Sequence, residues 1–582
     1  MSKTNCNPPR SKLDNRETYP QVHATEGQQV ASKAQADGAR KCGKMASLGA
    51  SGRFQQNVER DLFRHARREL KVPWQLCYID TLHRDSLRTT TARHPILPPH
   101  EVLGLVWKKS RDVFDLVFGT ADLEGFWEKM FRSEPLHLQE HPARSDILKN
   151  PRFHIPCKIF DDDGSCGKYR SIKVVHWTPI CSKISLTRLC KIPIFLCHGF
   201  QSIPEVTENP LFEWTVWSFD AALAGTYPQV GFGGAPLTGK RLAMAGQQIA
   251  GPYKLVFLEF MSDMAASVKT FHLCQGYNFS EKCHVCFAHH GGECDFRDFR
   301  NDATWMSRPR SNDAYLASES ARRSPLSQLP GFTVHCIFPE LMHAGPQGVH
   351  QTTSGSALLE LCRSNCFGKY SFVGKWKDRL NLQLAEAHVS FKTYCRSVKV
   401  SSSQPLFRVG HLKMREKNSV PTLKARKAHD SLLIADWLAS YCRDHGHLKS
   451  ANEYVRCRAI LLQGLSDMFQ VFRQAGTWMT QEELRRLQRA RDAFFFMSSK
   501  MNAMSRESGS NMYRLLPKHH AVAHAARNAF VTARNPKSMW TFADEDMMGF
   551  VGKIAAASHG KTLVRASLVK WLMQFFTEFM DF

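Results

Sequence analysis

"IFDDDGSCGKYRSIKVVHWTPI", from Ile159 to Ile180, is the stretch on which the reading of this chain turns. An apolar, β-prone run reaches three aspartates, Asp161 to Asp163. It then turns through Gly164 and Gly167 and leaves through a second β-prone run. The pattern predicts two strands joined as a hairpin. One carboxylate at such a turn is ordinary, because an Asp side chain hydrogen-bonds its own backbone there. Three in a row repel one another, and a cation held between them and other carboxylates relieves the repulsion.

Strand signals continue on both sides. "HIPCKIF", "RSIKVVHWTPI" and "KIPIFLCHGF" are short, rich in β-branched or aromatic residues, and bounded by Gly, Asp, Ser and Pro; they predict three strands in hairpin succession. "FEWTVWSFDAALAGTY" predicts a helix. "GPYKLVFLEFMSDMAASVKTFHL" begins as a buried strand and turns helical just after Asp263, and "FTVHCIFPELMHAG" is a further strand ending near Glu340 to His343. Residues 296–330 are polar and predict a loop. From Ser356 to about Ser508 the pattern is helical, with Thr480 and Glu483 forming a capping box before its last helix. "DEDMMGFVGKIAAASHG" and "KTLVRASLVKWLMQFFTEFMDF" close the chain as helices. Strand hairpins followed by strand–helix units predict an α/β sheet interrupted by a helical insertion.

The 582 residues are too many for one ordinary core. The expected organisation is a disordered basic tail at 1–55, poor in large apolar groups. An N-terminal helical region follows at 56–150, in which "FQQNVERDLFRHARREL" has near-helical apolar spacing. The first part of the core is 151–345, the helical insertion 346–510, and 511–582 completes the core. No apolar run is long and charge-free enough to cross a bilayer, and the N-terminus lacks the apolar stretch of a secretory signal. These features predict a soluble intracellular protein without membrane partners. The 18 cysteines are scattered, which predicts reduced thiols and not a disulfide framework. Lys and Arg total 78 against 53 Asp and Glu, a net charge of +25. Such an excess favours a polyanionic partner, nucleic acid first, because each neutralised phosphate releases counterions.

Asp163 falls at a predicted strand end, Asp263 at a strand-to-helix junction, and Glu545 in "WTFADEDMMG" at a helix start. Strands of one sheet can carry distant residues to a common edge. Three carboxylates meeting there supply oxygen ligands for two Mg²⁺ or Mn²⁺ ions, which stabilise the attacking and leaving oxygens of an in-line displacement at phosphorus. The same positions also suit turns and helix caps. A second cluster, "EKCHVCFAHHGGECDF", contains Cys283, Cys286, His289, His290 and Cys294. The C-x-x-C pair turns two thiolates toward one Zn²⁺; His289 or His290 with Cys294 completes a tetrahedron, and Gly291-Gly292 allows the return. The expected role is structural.

The order of these segments resembles the transposases of CACTA (En/Spm-like) DNA elements, including Plavaka-type relatives, in divergent form, over about Ile155 to Thr562. "IFDDDGSCGK" and the strand ending in His176-Trp177 are similar to the segment of the family's first Asp, and "FLEFMSDMAASVKTFHL" to that of the second. "CHVC" follows in the family's order. "FPELMHAGPQGV" resembles an Asp-x-x-His segment, with Glu340 in place of the Asp. "PKHHAVAH" and "WTFADEDMMGFVGKI" resemble the closing segments, where a Glu stands four residues before a Gly. The resemblance implies an RNase H-like catalytic core, an acidic triad of Asp163, Asp263 and Glu545, and His343 beside it. It also implies a nuclear DDE-type transposase that cuts and joins transposon ends and target DNA and acts as a homo-oligomeric assembly. Asp544 and Asp546 flank Glu545, so the choice of last ligand among the three stays open.

"GAPLTGKR", Gly234 to Arg241, nearly matches a phosphate-binding loop, but Arg241 replaces the Mg²⁺-binding hydroxyl and Pro236 removes a backbone donor. It reads as a turn before a helix. "RRLQRARDAF" and "LKARKAHD" are basic helix faces fit for phosphate contact. Trp540 suits either base stacking or core packing. The functional expectation is a metal-dependent transposase. The alternative is a catalytically inactive, zinc-containing DNA-binding derivative of one, and a third reading is a basic nuclease of the same fold.

Overall fold

A computed structural model describes residues 24–39, 43–48, 50, 61, 76–85, 88–165, 171–317, 323–368, 374–556, 558 and 562–579. The chain divides into two compact units, Met1–Trp74 with Phe576–Phe582, and Gln75–Phe575. In the first unit the described residues form helix α1 (Ala24–Ala36) and one turn of helix at Gly43–Ala46. The segment expected to be a disordered tail therefore contains helix. The helical expectation for "FQQNVERDLFRHARREL" lies outside the described residues apart from Asp61. No helix among the described residues is long and apolar enough to cross a membrane.

The second unit opens with an antiparallel hairpin, β1 (Cys77–Asp85) and β2 (Arg88–Ile96), inside the region expected to be helical. The sequence hides it because β2 is exposed along most of its length, so there is little apolar alternation to read. Backbone bonds from Arg84 to the Gln201 carbonyl (2.8 Å) and from Leu97 to that of Ile194 (2.7 Å) tether it. Helices α2 (Pro99–Lys109), α3 (Arg111–Phe118) and α4 (Leu123–Ser133) follow as the sequence predicts.

The core of the unit is a mixed five-stranded sheet. It comprises β3 (His154–Ser165), β4 (Ser171–Pro179), β5 (Ile192–His198), β6 (Lys254–Ser262) and β7 (Ile337–Pro339), in the order β5-β4-β3-β6-β7. The first three strands form the expected antiparallel succession, and β6 and β7 run parallel to β3. Strands β4, β5 and β6 are buried almost throughout, which matches their near-continuous apolar runs. Because β3, β6 and β7 are parallel, their C-terminal ends lie at one edge. Phe160 pairs with Met261 and Ser262 with Pro339. Continuing that register sets Asp162 beside Asp263 and Asp263 beside Glu340.

Helix α5 (Glu208–Ala224) packs on β6, and α6 (Met264–Phe271) packs on β3 and β6. Between β7 and the closing helices lies the expected insertion: α7 (His350–Arg363), α8 (Trp376–Ser397), α9 (Ala428–Asp444), α10 (Glu453–Gln474) and α11 (Gln481–Glu507). Trp437, fully buried, anchors it against Phe367, Phe391 and Phe407. The Thr480–Glu483 capping box starts α11. The chain then returns through α12 (Pro517–Thr532) and α13 (Phe542–Ala556), the latter packed on β3, and ends in a helix at Leu563–Phe579.

Candidate active site and metal centre

Strand β3 runs through all three aspartates instead of stopping at them. Alternate side chains of a strand point to opposite faces, and each aspartate has a different fate. Asp161 is buried and accepts hydrogen bonds from the Lys173 ammonium (3.0 Å) and the Thr270 hydroxyl (2.5 Å). Asp163, on the same face and exposed, pairs with Lys269 of α6 at 3.1 Å. Asp162 turns to the other face, the one α13 covers; Gly164, two residues on, lies under Met548 of that helix. The acidic residue of β3 that faces Glu545 is therefore Asp162 and not Asp163, a correction of one position that the pleat dictates.

Asp162 is half-buried and its carboxyl is pushed up to about 7. Burial is the largest cause; the charge of Asp263 adds to it, as does that of Glu545, while the Asp163 N–H on Oδ1 (2.7 Å) and the nearby His343 act against it. Glu545 is raised as well, by burial first, with His343 opposing and Glu340, Asp544 and Asp263 reinforcing. Asp263 caps α6, Oδ1 accepting the Ala266 N–H at 2.6 Å. A carboxylate has more acceptor sites than one cap consumes, so the cap leaves it able to bind a cation. Asp263 raises the proton affinity of both Asp162 and Glu545, and Glu545 adds to that of Asp162; a divalent cation would stabilise such a site.

Glu340 and His343 complete this edge. Glu340 is buried and its oxygens are fully engaged. They accept the Met342 N–H, the His343 N–H (2.6 Å), the His343 ring Nδ1–H (2.7 Å) and the Thr541 hydroxyl (2.7 Å). Glu340 therefore orients the imidazole and ties the start of α13 to the sheet edge; it has no lone pair to spare for a metal. Burial works against protonation of His343, but the Glu340 hydrogen bond and the charges of Glu340, Asp263 and Glu545 outweigh it and raise the ring's pKa. The three acids at 544–546 have different surroundings. Asp544 is buried against Lys191 (2.6 Å) and His176 (3.3 Å), Asp546 is exposed, and Glu545 faces the other acids. Lys518 of α12, half-buried beside Asp263 and Glu340, also belongs to this edge.

The cysteine–histidine cluster differs from its expected composition. Cys283 and Cys286 meet His520 and His524, and the four ligand atoms all lie within 4.8 Å of one another. Cys286 Sγ is 3.3 Å from each of the two Nε2 atoms, and Cys283 Sγ is 3.5 Å from that of His524. Tetrahedral zinc bonds of about 2.0 Å to nitrogen and 2.3 Å to sulfur set neighbouring ligand atoms roughly 3.5 Å apart, so the donor set fits. Among the described residues it is the one group with this geometry; the acidic residues are more widely spaced. His290 is exposed, and His289 and Cys294 join each other through the backbone (3.0 Å), so none of the three enters the cluster. The Gly291-Gly292 turn does form, both residues at positive φ. His520 and His524 stand at i and i+4 on α12, one face of the helix. That H-x-x-x-H spacing was the available signal, and its distance from the C-x-x-C pair concealed it.

The remaining motifs carry less chemistry. "GAPLTGKR" is an exposed turn before a six-residue helix, Gly239–Met244, and Arg241 pairs with Glu101 at 2.8 Å. Trp540 is half-buried and packs against Phe542 and Phe469.

No protein-family model and no curated protein matches the chain. Among solved structures it is similar to the strand transfer complex of the Drosophila P element transposase, at 10% sequence identity, over 97% of this chain and 92% of that one, with a TM-score of 0.32. A likeness that weak carries no argument about fold or function.

Proposed function

We propose that this protein is a metal-dependent phosphoryl-transfer enzyme acting on DNA, of the DDE transposase type, built on an RNase H-like core. The observation that carries the reading is the meeting of Asp162 and Asp263, at the C-terminal ends of adjacent parallel strands, with Glu545 of α13, and an aspartate carboxyl there raised to about 7 by burial first and by its acidic neighbours next. The strand order supports the core: an antiparallel meander β3-β4-β5 is extended on the other side of β3 by two parallel strands. Mg²⁺ or Mn²⁺ bound there would activate a water or 3′-hydroxyl and stabilise the leaving oxygen. Asp162, Asp263 and Glu545 would hold the ions, and His343, aimed by Glu340, stands where it can hydrogen-bond a phosphate oxygen. The net charge of +25 suits a DNA substrate. Cys283, Cys286, His520 and His524 form a structural zinc site in this reading. A nuclear location and assembly into homo-oligomers belong to the same proposal.

The test separates neighbouring aspartates. Mg²⁺-dependent cleavage and joining are measured on oligonucleotides taken from the DNA that flanks the coding sequence, inverted repeats first where sequencing finds them. Asp162→Ala should lose about a hundredfold or more, the scale of removing one transition-state contact. Asp163→Ala should stay within a few-fold of wild type. The opposite ranking would refute the assignment, and metal-independent activity would refute the mechanism. Retained DNA binding with no cleavage by the wild-type chain would favour the inactive DNA-binding derivative.

A further inference from the structure

The sheet face that carries Asp162 also carries Lys158, four residues upstream on the same side of the pleat and about 13 Å away along the strand. Lys158 lines an open cavity of about 440 Å³ between the sheet and the segment joining α12 to α13. Lys191, Arg534 and Lys537 line it too, with Thr178 and Ser538. Two of these four cations are already matched: Lys191 by Asp544 at 2.6 Å, and Arg534 by the buried Glu259. The other two form no direct ion pair among the described residues, Lys158 feeling Asp544 and Glu259 only from farther off. The Lys158 ammonium donates to the Ser538 carbonyl (3.2 Å) and rests against the Met261 sulfur (3.4 Å). Lys537, exposed, reaches only the Arg473 carbonyl at 3.4 Å.

Two of the lining residues also carry a donor without a partner. The Thr178 hydroxyl and the Arg534 Nε–H are buried and make no hydrogen bond. Buried polar groups are almost always satisfied, so each orphan calls for an explanation. Two ammonium groups without a direct ion pair, an orphan guanidinium N–H and an orphan hydroxyl able to donate make a set rich in donors, and its complement is an oxyanion with several acceptor oxygens. We infer that this cavity binds a phosphate group, the phosphodiester of a nucleic-acid backbone held a few nucleotides from the acidic centre. The Lys158 amine is lowered to about 8, by burial first and then by Lys191 and Arg534, against the pull of Asp544 and Glu259. An excess of positive charge at this wall is what a bound anion would offset.

The nucleic-acid half of this inference rests on the phosphoryl-transfer reading; the anion site does not. Inorganic phosphate is the first probe. Titrated at constant ionic strength against chloride, it should raise the thermal midpoint of the full chain and leave those of Lys158→Met, Lys537→Ala and Thr178→Val unmoved. Lys537 is exposed and Thr178→Val nearly isosteric, so these two carry the test if Lys158→Met does not fold. A labelled DNA duplex without divalent ions is the second probe. The slope of log affinity against log salt should fall by about one for each lysine removed. Loss of the phosphate response with an unchanged duplex slope supports the anion site and assigns it to a free phosphate. No response in wild type, or one surviving in all three variants, overturns it. Neither measurement involves turnover or divalent ions, so failure of the catalytic reading is distinguishable from failure of this one.

Discussion

Three consecutive aspartates illustrate how far chemistry can differ between neighbours of one residue type. Asp161 forms a buried ion pair with Lys173, which Glu208 also meets at 3.2 Å. Asp161→Ala would leave that ammonium short of a partner, and breaking a buried pair costs about 3–5 kcal/mol; urea unfolding should show it. Asp163 pairs with Lys269 in the open, both side chains 43% exposed, and its removal should cost no more than about 1 kcal/mol. Asp162 should behave in the opposite sense. Its folded pKa, about 7, lies above the unfolded value near 3.8, so the folded state binds the extra proton between them. Stability of the metal-free protein should therefore fall as pH rises from about 4 to about 7, by at most about 1.4 kcal/mol per pH unit. Asp162→Asn should flatten that slope, and added Mg²⁺ should restore stability above pH 7. A metal-free stability curve that is unchanged by Asp162→Asn would remove the electrostatic argument for the site.

At the scale of elements, the edge formed by β3, β6 and β7 does the positioning. Glu340 is its hinge, since one carboxylate caps the turn Leu341–Ala344, aims His343 and holds Thr541 at the start of α13. Glu340→Gln should keep the Met342 and Thr541 contacts through its one oxygen but lose the charge and both His343 bonds. The expected result is a 10- to 100-fold fall in kcat with little change in KM, the usual cost of disturbing an orienting partner. The His343 pKa, followed by NMR, should fall in parallel, which a merely structural role would not produce. Much of this edge was legible beforehand: β3 to β6, the Asp263 junction and the helical insertion announce themselves by length and apolar pattern. The choice of Asp162 over Asp163 was not, because the reading ended β3 at the aspartates, and side-chain parity has meaning only once the strand is known to continue through them. The β1–β2 hairpin was hidden for a related reason. Of its described residues only Thr81 and the base, Cys77 with His94 to Ile96, are buried, and backbone bonds tether it to neighbouring segments.

Across the second unit as a whole, the question is what returns α12 and α13 to the sheet after an insertion of well over a hundred residues. The Cys–His cluster is one tie, beside the Arg534–Glu259 and Asp544–Lys191 pairs, because its two halves lie on opposite sides of that insertion. Cys286 and His520 are 234 positions apart in sequence. Trp305 packs on both histidine rings and closes the cluster from outside. Such a span was illegible from local spacing; only the fold brings a C-x-x-C pair to an H-x-x-x-H helix. Cross-linking a loop of this length removes unfolded-state entropy on the order of 5 kcal/mol. The purified chain should therefore carry about one zinc, measured by elemental analysis. His524→Ala and Cys286→Ser should lose it, while His289→Ala, His290→Ala and Cys294→Ser keep it. Chelation should lower the thermal midpoint and, by loosening α12 and the segment that leads to Glu545, weaken Mg²⁺ binding at a distance. If zinc leaves without a drop in midpoint, the cluster is not what holds the two halves together; if zinc content instead follows His289, His290 or Cys294, the local knuckle read from sequence is restored and the long-range closure must come from direct ties such as Glu340–Thr541, Glu259–Arg534 and Lys191–Asp544.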